Sequence, residues 1–259
     1  MRRHTIIQAQ LLLDLENLAA WPDELQAYLD RHYDLLLGWE AGKVSGLDYD
    51  RVICGLQYAL EPYGVVGWHC TRLTELECAK ILSSGMQLPD RSILCHRLDT
   101  LLRSGLLTKA LTERLKAENQ ADDEHRAGMI WFCLYPPYLA GKGGIERFFR
   151  SWGGEALYNS HEDDPETGVT ISDIGRPCLV EASVPIASMG SSISFTFKIA
   201  RRYLISRGFE TREPLDHDAW SKLVLPAANI RRIIKYPEPD FLSLTGCATW
   251  KTPLGWSTP

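Results

Sequence analysis

The chain has 259 residues, 45% of them hydrophobic and 24% charged, which suits one large globular domain or a core domain with a smaller helical one. No apolar run approaches the roughly 20 residues of a membrane-spanning helix, and no small-residue cleavage site follows Met1-Arg2-Arg3-His4, so the expectation is a soluble cytoplasmic protein with no membrane contact. The formal net charge of −5 disfavours non-specific binding to a phosphate backbone, although the doublets Arg201-Arg202 and Arg231-Arg232 leave room for a local basic patch.

Residues 5 to 60 read as helices. Ile6, Leu11, Leu12 and Leu15 recur at helical spacing, and Trp21-Pro22-Asp23-Glu24 has the proline and acids of a helix start. An apolar stripe from Leu25 to Leu37 follows, and a third helix runs to Leu60. Tyr63 to Cys70 changes character: it is short, β-rich and bounded by glycines, as a buried strand is. Thr74 and Glu77 form a capping box that opens a helix ending at Gly85, and residues 97 to 120 are helical again. Glu118 to Arg126 reads as an exposed loop.

Gly128 to Tyr135 predicts a second strand, ended by Pro136-Pro137. A glycine loop at 141–144, a short helix through Trp152 and a strand over Glu155-Ala156-Leu157-Tyr158 are expected next. His161 to Glu166 reads as an acidic solvated loop, Pro177 to Ile186 as a strand and Ile193 to Ser206 as a helix. Ser221 to Leu225 and Ile230 to Tyr236 close the set of strands, before a coil tail. Without a regular βαβ period or a glycine fingerprint after the first strand, a doubly wound dinucleotide fold is disfavoured. An α+β fold with a mostly antiparallel sheet is expected. Its divisions are a helical subdomain over 1–62, a core over 63–240 and a C-terminal coil tail over 241–259.

The seven cysteines are odd in number and irregular in spacing, and most sit in apolar surroundings, as reduced thiols do. The sharpest local feature is Gly67-Trp68-His69-Cys70-Thr71-Arg72 followed by Ile81-Leu82-Ser83-Ser84-Gly85. On a strand, His69 and Thr71 point to the same face, and two polar side chains on an apolar strand need partners that a hydroxylated ligand can supply. His69 is therefore the centre of the expected site.

This block resembles the first conserved block of the poly(ADP-ribose) polymerase branch of the ADP-ribosyltransferases, Trp-His-Gly-(Ser/Thr)-Arg and then Ile-Leu-x-x-Gly. The resemblance implies a split-sheet transferase core that uses NAD as co-substrate. It gives His69 a ribose hydroxyl of NAD and Thr71 the support of the nucleotide. Cys70 departs from the family glycine. Gly128-Met129-Ile130-Trp131-Phe132 is similar to the family's second strand, so Trp131 or Phe132 would stack on nicotinamide. The family's catalytic glutamate belongs just before the late strand, where this chain has Trp220-Ser221-Lys222. The acid is then either Asp218 or Glu155, the latter set in Trp152-Gly153-Gly154-Glu155 with Tyr158 beside it. Arg72 and the loop carrying Lys142 are candidates for the pyrophosphate.

The implied activity is mono-ADP-ribosylation of a macromolecular acceptor, protein or nucleic acid, by a toxin or effector that an antitoxin or regulatory protein could restrain. NAD hydrolysis is the alternative within the enzyme class, and a non-catalytic binding protein the alternative outside it. A zinc site drawn from His69, Cys70, Cys78, Cys95 and His96 lacks any standard spacing, so no metal is expected. A cysteine nucleophile at Cys70 or Cys133 lacks a local signature.

Overall fold

A computed structural model describes residues 11–190, 192–211 and 218–254. The helices are α1 Asp23–Arg31, α2 Tyr33–Glu40, α3 Gly46–Leu60, α4 Glu75–Ser84, α5 Arg91–Arg103, α6 Lys109–Ala117, α7 Gly141–Arg150, α8 Glu155–His161, α9 Thr167–Asp173, α10 Ser192–Ser206 and α11 Pro239–Thr245. The strands are β1 Leu12–Leu13, β2 Gly64–Leu73, β3 Ile130–Cys133, β4 Arg176–Pro185, β5 Asp218–Ser221 and β6 Ile230–Lys235. The fold is α+β, with a six-stranded, mostly antiparallel sheet in the order β5-β3-β2-β4-β6. The short β1 adds to β2 in parallel, off that path.

Local chemistry sets the helix starts. Ser45, Thr74, Asp90 and Thr108 each accept a backbone N–H of the first turn. At Thr74 the capping box closes, because the Glu77 carboxylate returns to the Thr74 N–H. Gly85 ends α4 with φ of 81°, and a Cβ there would stand 1.9 Å from the Leu225 carbonyl oxygen. The glycine lets the backbone of 85–86 approach the chain at 225, where Met86 and Leu225 form a bridge.

β2 is the central strand and pairs with β4 from Gly64↔Pro185 to Leu73↔Arg176. Its alternation divides the molecule. Val65, Leu73, Phe132 and Val180 face a cluster that includes Leu25, Leu36, Ile53 and Ile199, so α1–α3 and α10 share buried packing with the sheet. Cys70, Leu179 and Ile234 face the other way, onto Ile145 and Phe149 of α7 and Phe241 of α11. A third cluster joins α5, α6, α8 and α9 through Leu98, Leu115, Trp152, Leu157 and Ile171.

Several elements differ from the sequence reading. Leu12 and Leu13 are extended rather than helical, because the edge of β2 at Gly64–Val65 offers them a ladder; Ile6 lies outside the described residues. The stretch 141–144 opens α7 instead of forming a loop. Glu155 to Tyr158 is helical: Gly153 and Gly154, at φ of 87° and 60°, turn the chain so that α8 buries Leu157 and Tyr158. The tail is helical over Pro239–Thr245, because Phe241 is wholly buried against Phe149. His161 is also buried, with Nδ1 on Thr167 and Nε2 donating to the Glu118 carbonyl.

Candidate functional site around His69

His69 sits mid-strand on β2, half-buried, with its ring 6.1 Å from that of Phe132 at an interplanar angle of 63°. Its Nδ1 lies 2.8 Å from the carbonyl oxygen of Trp131. A carbonyl only accepts, so Nδ1 carries the proton, and in the neutral ring Nε2 keeps its lone pair. Burial lowers the His69 pKa, the bond to Trp131 opposes this, and the nearby Arg97 charge lowers it further. The imidazole is therefore neutral at pH 7, with Nε2 bonded to none of the described residues.

The sheet register sorts the other expected residues. Trp68 pairs with Cys133 and Cys133 with Asp218, so those three share one face, while His69, Phe132 and Ala219 share the other. Thr71 lies on the His69 face, half-buried, with its hydroxyl only 3.5 Å from the Arg72 carbonyl. His69 and Thr71 are thus brought together; Phe132 shares their face but is buried in the core at 2% exposure, so it has no free ring face on which nicotinamide could stack.

Trp131 is not with them: it points to the opposite face and packs on Trp220 with ring centroids 4.7 Å apart. Asp218 is exposed on that same opposite face, and Lys198 lies 3.6 Å from its carboxylate. Where the family places its acid, β5 turns Ala219 and the fully buried Ser221 toward the His69 side, and Ser221 bonds Ser188 and Leu223.

Arg72 requires the clearest correction. Its side chain is buried, with Nε, Nη1 and Nη2 donating to the carbonyls of Ile174, Phe149 and Gly175 at 3.0, 3.0 and 2.8 Å. Burial pulls its pKa down to about 10. It clamps the start of β4 to the end of α7, and the guanidinium has no free fork for a pyrophosphate.

Glu155 stands at the N-terminus of α8 with its Oε2 3.0 Å from Arg126 Nε. Tyr158, one turn on, is buried under Phe148, with the Arg147 guanidinium 3.9 Å from its ring centroid. Neither Glu155 nor Tyr158 touches His69. Glu77 of the capping box, whose further partners the sequence does not reveal, joins the elements around these regions. Glu77 accepts from Arg97 Nε at 2.7 Å through Oε1. Through Oε2 it accepts from the Thr74 N–H, the Thr74 hydroxyl and the Trp152 indole N–H, at 2.9, 3.0 and 3.0 Å. Burial pushes the Glu77 pKa up, but the Arg97 charge and these donors outweigh it, so the net shift is downward. Trp152 immediately precedes the Gly-Gly-Glu turn, so Glu77 and Arg97 tie the end of β2 to the segment that aims Glu155.

The cysteines are free thiols. Cys70 faces away from the Phe132 side, and contact with the Cys133 thiol, together with burial, pushes its pKa up, which suits an inert thiol better than a nucleophile. Among the described residues no three His, Cys, Asp or Glu side chains converge as metal ligands. No described helix is long and apolar enough to cross a membrane.

A cavity of about 550 Å³ lies elsewhere, between α1, the turn before it and the end of α10, lined by Trp21, Leu29, Arg202, Tyr203 and Arg207 among others. It holds none of the expected site residues, and its arginines are engaged, Arg207 with Asp30 and Arg202 with the Leu15 carbonyl. Compared with family models, curated proteins and solved structures, the chain matches none of them.

Proposed function

We propose that the chain is an NAD-dependent mono-ADP-ribosyltransferase with an ADP-ribosyltransferase-like core, acting as a toxin or effector on a protein or nucleic-acid acceptor. The observation that carries this reading is the state of His69: its proton is committed to a backbone carbonyl, and its free Nε2 lone pair is on the same strand face as Thr71 and Phe132. An acceptor nitrogen next to a hydroxyl suits the vicinal diol of a ribose.

The reaction breaks the bond between nicotinamide and ribose through a transition state with positive charge on the sugar, as in glycoside hydrolysis. A carboxylate beside the ribose stabilises that charge and orients the 2′-hydroxyl. Glu155 is the acid best suited to this role. It follows a two-glycine turn, its side chain is 38% exposed, and Arg126 fixes its orientation. Asp218 is set aside because its strand parity directs it away from His69.

A second reading is favoured by one observation: β5 offers Ala219 and Ser221, and no acid, to the His69 face. The chain would then be a non-catalytic protein that binds NAD on a degenerate transferase fold; NAD hydrolysis, which needs the same acid, is the alternative within the enzyme class. Incubation of the purified chain with labelled NAD and with lysate split into protein and nucleic-acid fractions separates these readings. The proposal expects label in one fraction, abolished in His69→Ala and Glu155→Ala. Free ADP-ribose without transfer supports hydrolysis, and binding without turnover supports the non-catalytic reading. An inert chain that does not bind NAD contradicts all three. An antitoxin or regulatory protein, if one exists, would be found by its suppression of this labelling.

A further inference from the structure

The cavity of about 550 Å³ between α1, the turn before it and the end of α10 is lined by a cation that no acid of the protein neutralises. Among the described residues six other arginines are half-buried, and each has a carboxylate within 4.0 Å, as Arg201 has Glu40 and Arg114 has Asp164. Arg202 is the half-buried arginine without one. Its Nε donates to the Leu15 carbonyl at 3.3 Å, and its guanidinium carbon stands 5.0 Å from the centroid of the Tyr135 ring. These two contacts fix the plane of the guanidinium, while Nη1 and Nη2 bond to none of the described residues. A partly desolvated charge ordinarily has its counter-charge within the fold, because burial without one is costly. Here that rule fails at an arginine lining a hollow whose volume falls in the range of small-molecule sites, roughly 300 to 1,000 Å³.

The rest of the lining describes the ligand. Trp21, Leu18, Leu29 and Ile205 supply an apolar wall, and Trp21 is pinned because its indole N–H donates to the Asp14 carbonyl at 2.6 Å. Arg207 also lines the hollow but is already neutralised by Asp30. Glu16 lines it too; it is exposed and makes no ion pair among the described residues, so it disfavours a dianion without cancelling Arg202. We propose that this hollow binds a small apolar monocarboxylate, its carboxylate on the free fork of Arg202 and its apolar body against Trp21 and Leu29. A planar carboxylate matches the two parallel N–H donors of a guanidinium, and the orientation of that fork is set before the ligand arrives. The site shares no residue with the His69 face and stands independently of the NAD reading.

The test is calorimetric titration of the intact chain with 3-phenylpropionate, with its neutral amide and with inorganic phosphate, for wild type, Arg202→Gln and Ser206→Trp, with thermal melts of each. Ser206 is exposed near the end of α10 and lines the hollow, so a tryptophan there fills the space without touching the core. The carboxylate should bind wild type saturably at one site and raise its melting temperature. The amide and phosphate should each bind at least tenfold more weakly. Arg202→Gln should lose at least tenfold in carboxylate affinity with its amide affinity unchanged, and Ser206→Trp should lose both ligands. The carboxylate–amide comparison needs no variant, so it decides the question even where a variant melts early. Equal affinity for carboxylate and amide, carboxylate affinity within twofold of wild type in folded Arg202→Gln, phosphate binding tighter than the carboxylate, or no binding of the carboxylate at all overturns the assignment. Nicotinamide release from NAD is read separately, so failure here leaves the NAD reading standing.

Discussion

The Nδ1–H of His69 donates to the Trp131 carbonyl oxygen at 2.8 Å, which fixes a side chain of the central strand to the backbone of its neighbour. Because burial lowers the pKa and Arg97 adds to the effect, the ring titrates below the ordinary histidine value of 6.5. Nitrogen-resolved NMR of the imidazole should show one protonated nitrogen at neutral pH, assigned to Nδ1, and a midpoint below 6.5. A group whose folded pKa is depressed in this way costs stability as pH falls from the unfolded value toward the folded one. His69→Gln should therefore flatten the loss of stability just below pH 6.5. A midpoint at or above 6.5 would remove the neutral Nε2 acceptor from the account.

Arg72 is predicted to act on folding alone. Arg72→Met should cost about 3 kcal/mol, because three carbonyls at the α7–β4 junction lose their donor in a dry environment. Urea denaturation reads this directly. The nucleotide affinity of the folded fraction should be unchanged, and a selective loss of affinity would return Arg72 to the site.

Glu77 links acid stability to the site. Its folded pKa lies below the ordinary carboxylate value of 4.5, so its contribution is fully present above pH 4.5 and is lost as pH falls through the folded value. Glu77→Gln keeps the shape but leaves Arg97 without its counter-charge, a loss of about 2 kcal/mol for a charge-assisted bond in a half-buried pair. Melting temperature against pH should show wild type losing stability below pH 4.5 and the variant losing less there. Parallel curves would mean that Glu77 titrates as it does in the unfolded chain.

Gly85 is predicted to be irreplaceable for steric reasons. Gly85→Ala must escape both a positive φ and a 1.9 Å approach to the Leu225 oxygen, and should destabilise by about 2 kcal/mol or more. A variant as stable as wild type in urea would show that the Met86–Leu225 bridge can part without cost.

Much of the central geometry is legible in the sequence because a strand has period 2. Glycine-bounded β-rich residues at 64–70 predict β2, and parity alone puts His69 and Thr71 on one face. The Thr74–Glu77 capping box is equally local and is found as expected. Parity does not say which of two adjacent aromatics joins them: Trp131 and Phe132 alternate, and only the pairing of Trp68 with Cys133 selects Phe132. The segment from Glu155 to Tyr158 is helical where a strand is expected, because a two-glycine step followed by a short apolar run is compatible with either, and packing of Leu157 and Tyr158 decides it. Arg72 looked like a free cation because its three carbonyl partners lie 77 to 103 residues away in the chain. The contacts of Glu77 with Arg97 and Trp152 are not legible for a related reason, since Glu77 precedes Arg97 by 20 residues and Trp152 stands 75 residues beyond Glu77. The usable signal was an acid already committed to a cap, whose second oxygen still needed a donor.

The most direct test of the central claim is the release of nicotinamide from NAD by the purified chain, followed over time against His69→Ala and Glu155→Ala variants whose melting curves match wild type. The account predicts steady release by wild type, a fall of at least a hundredfold in each variant, and a rise in wild-type release when the acceptor fraction is added. Release that persists unchanged in His69→Ala, or its absence from wild type with both lysate fractions present, would contradict it.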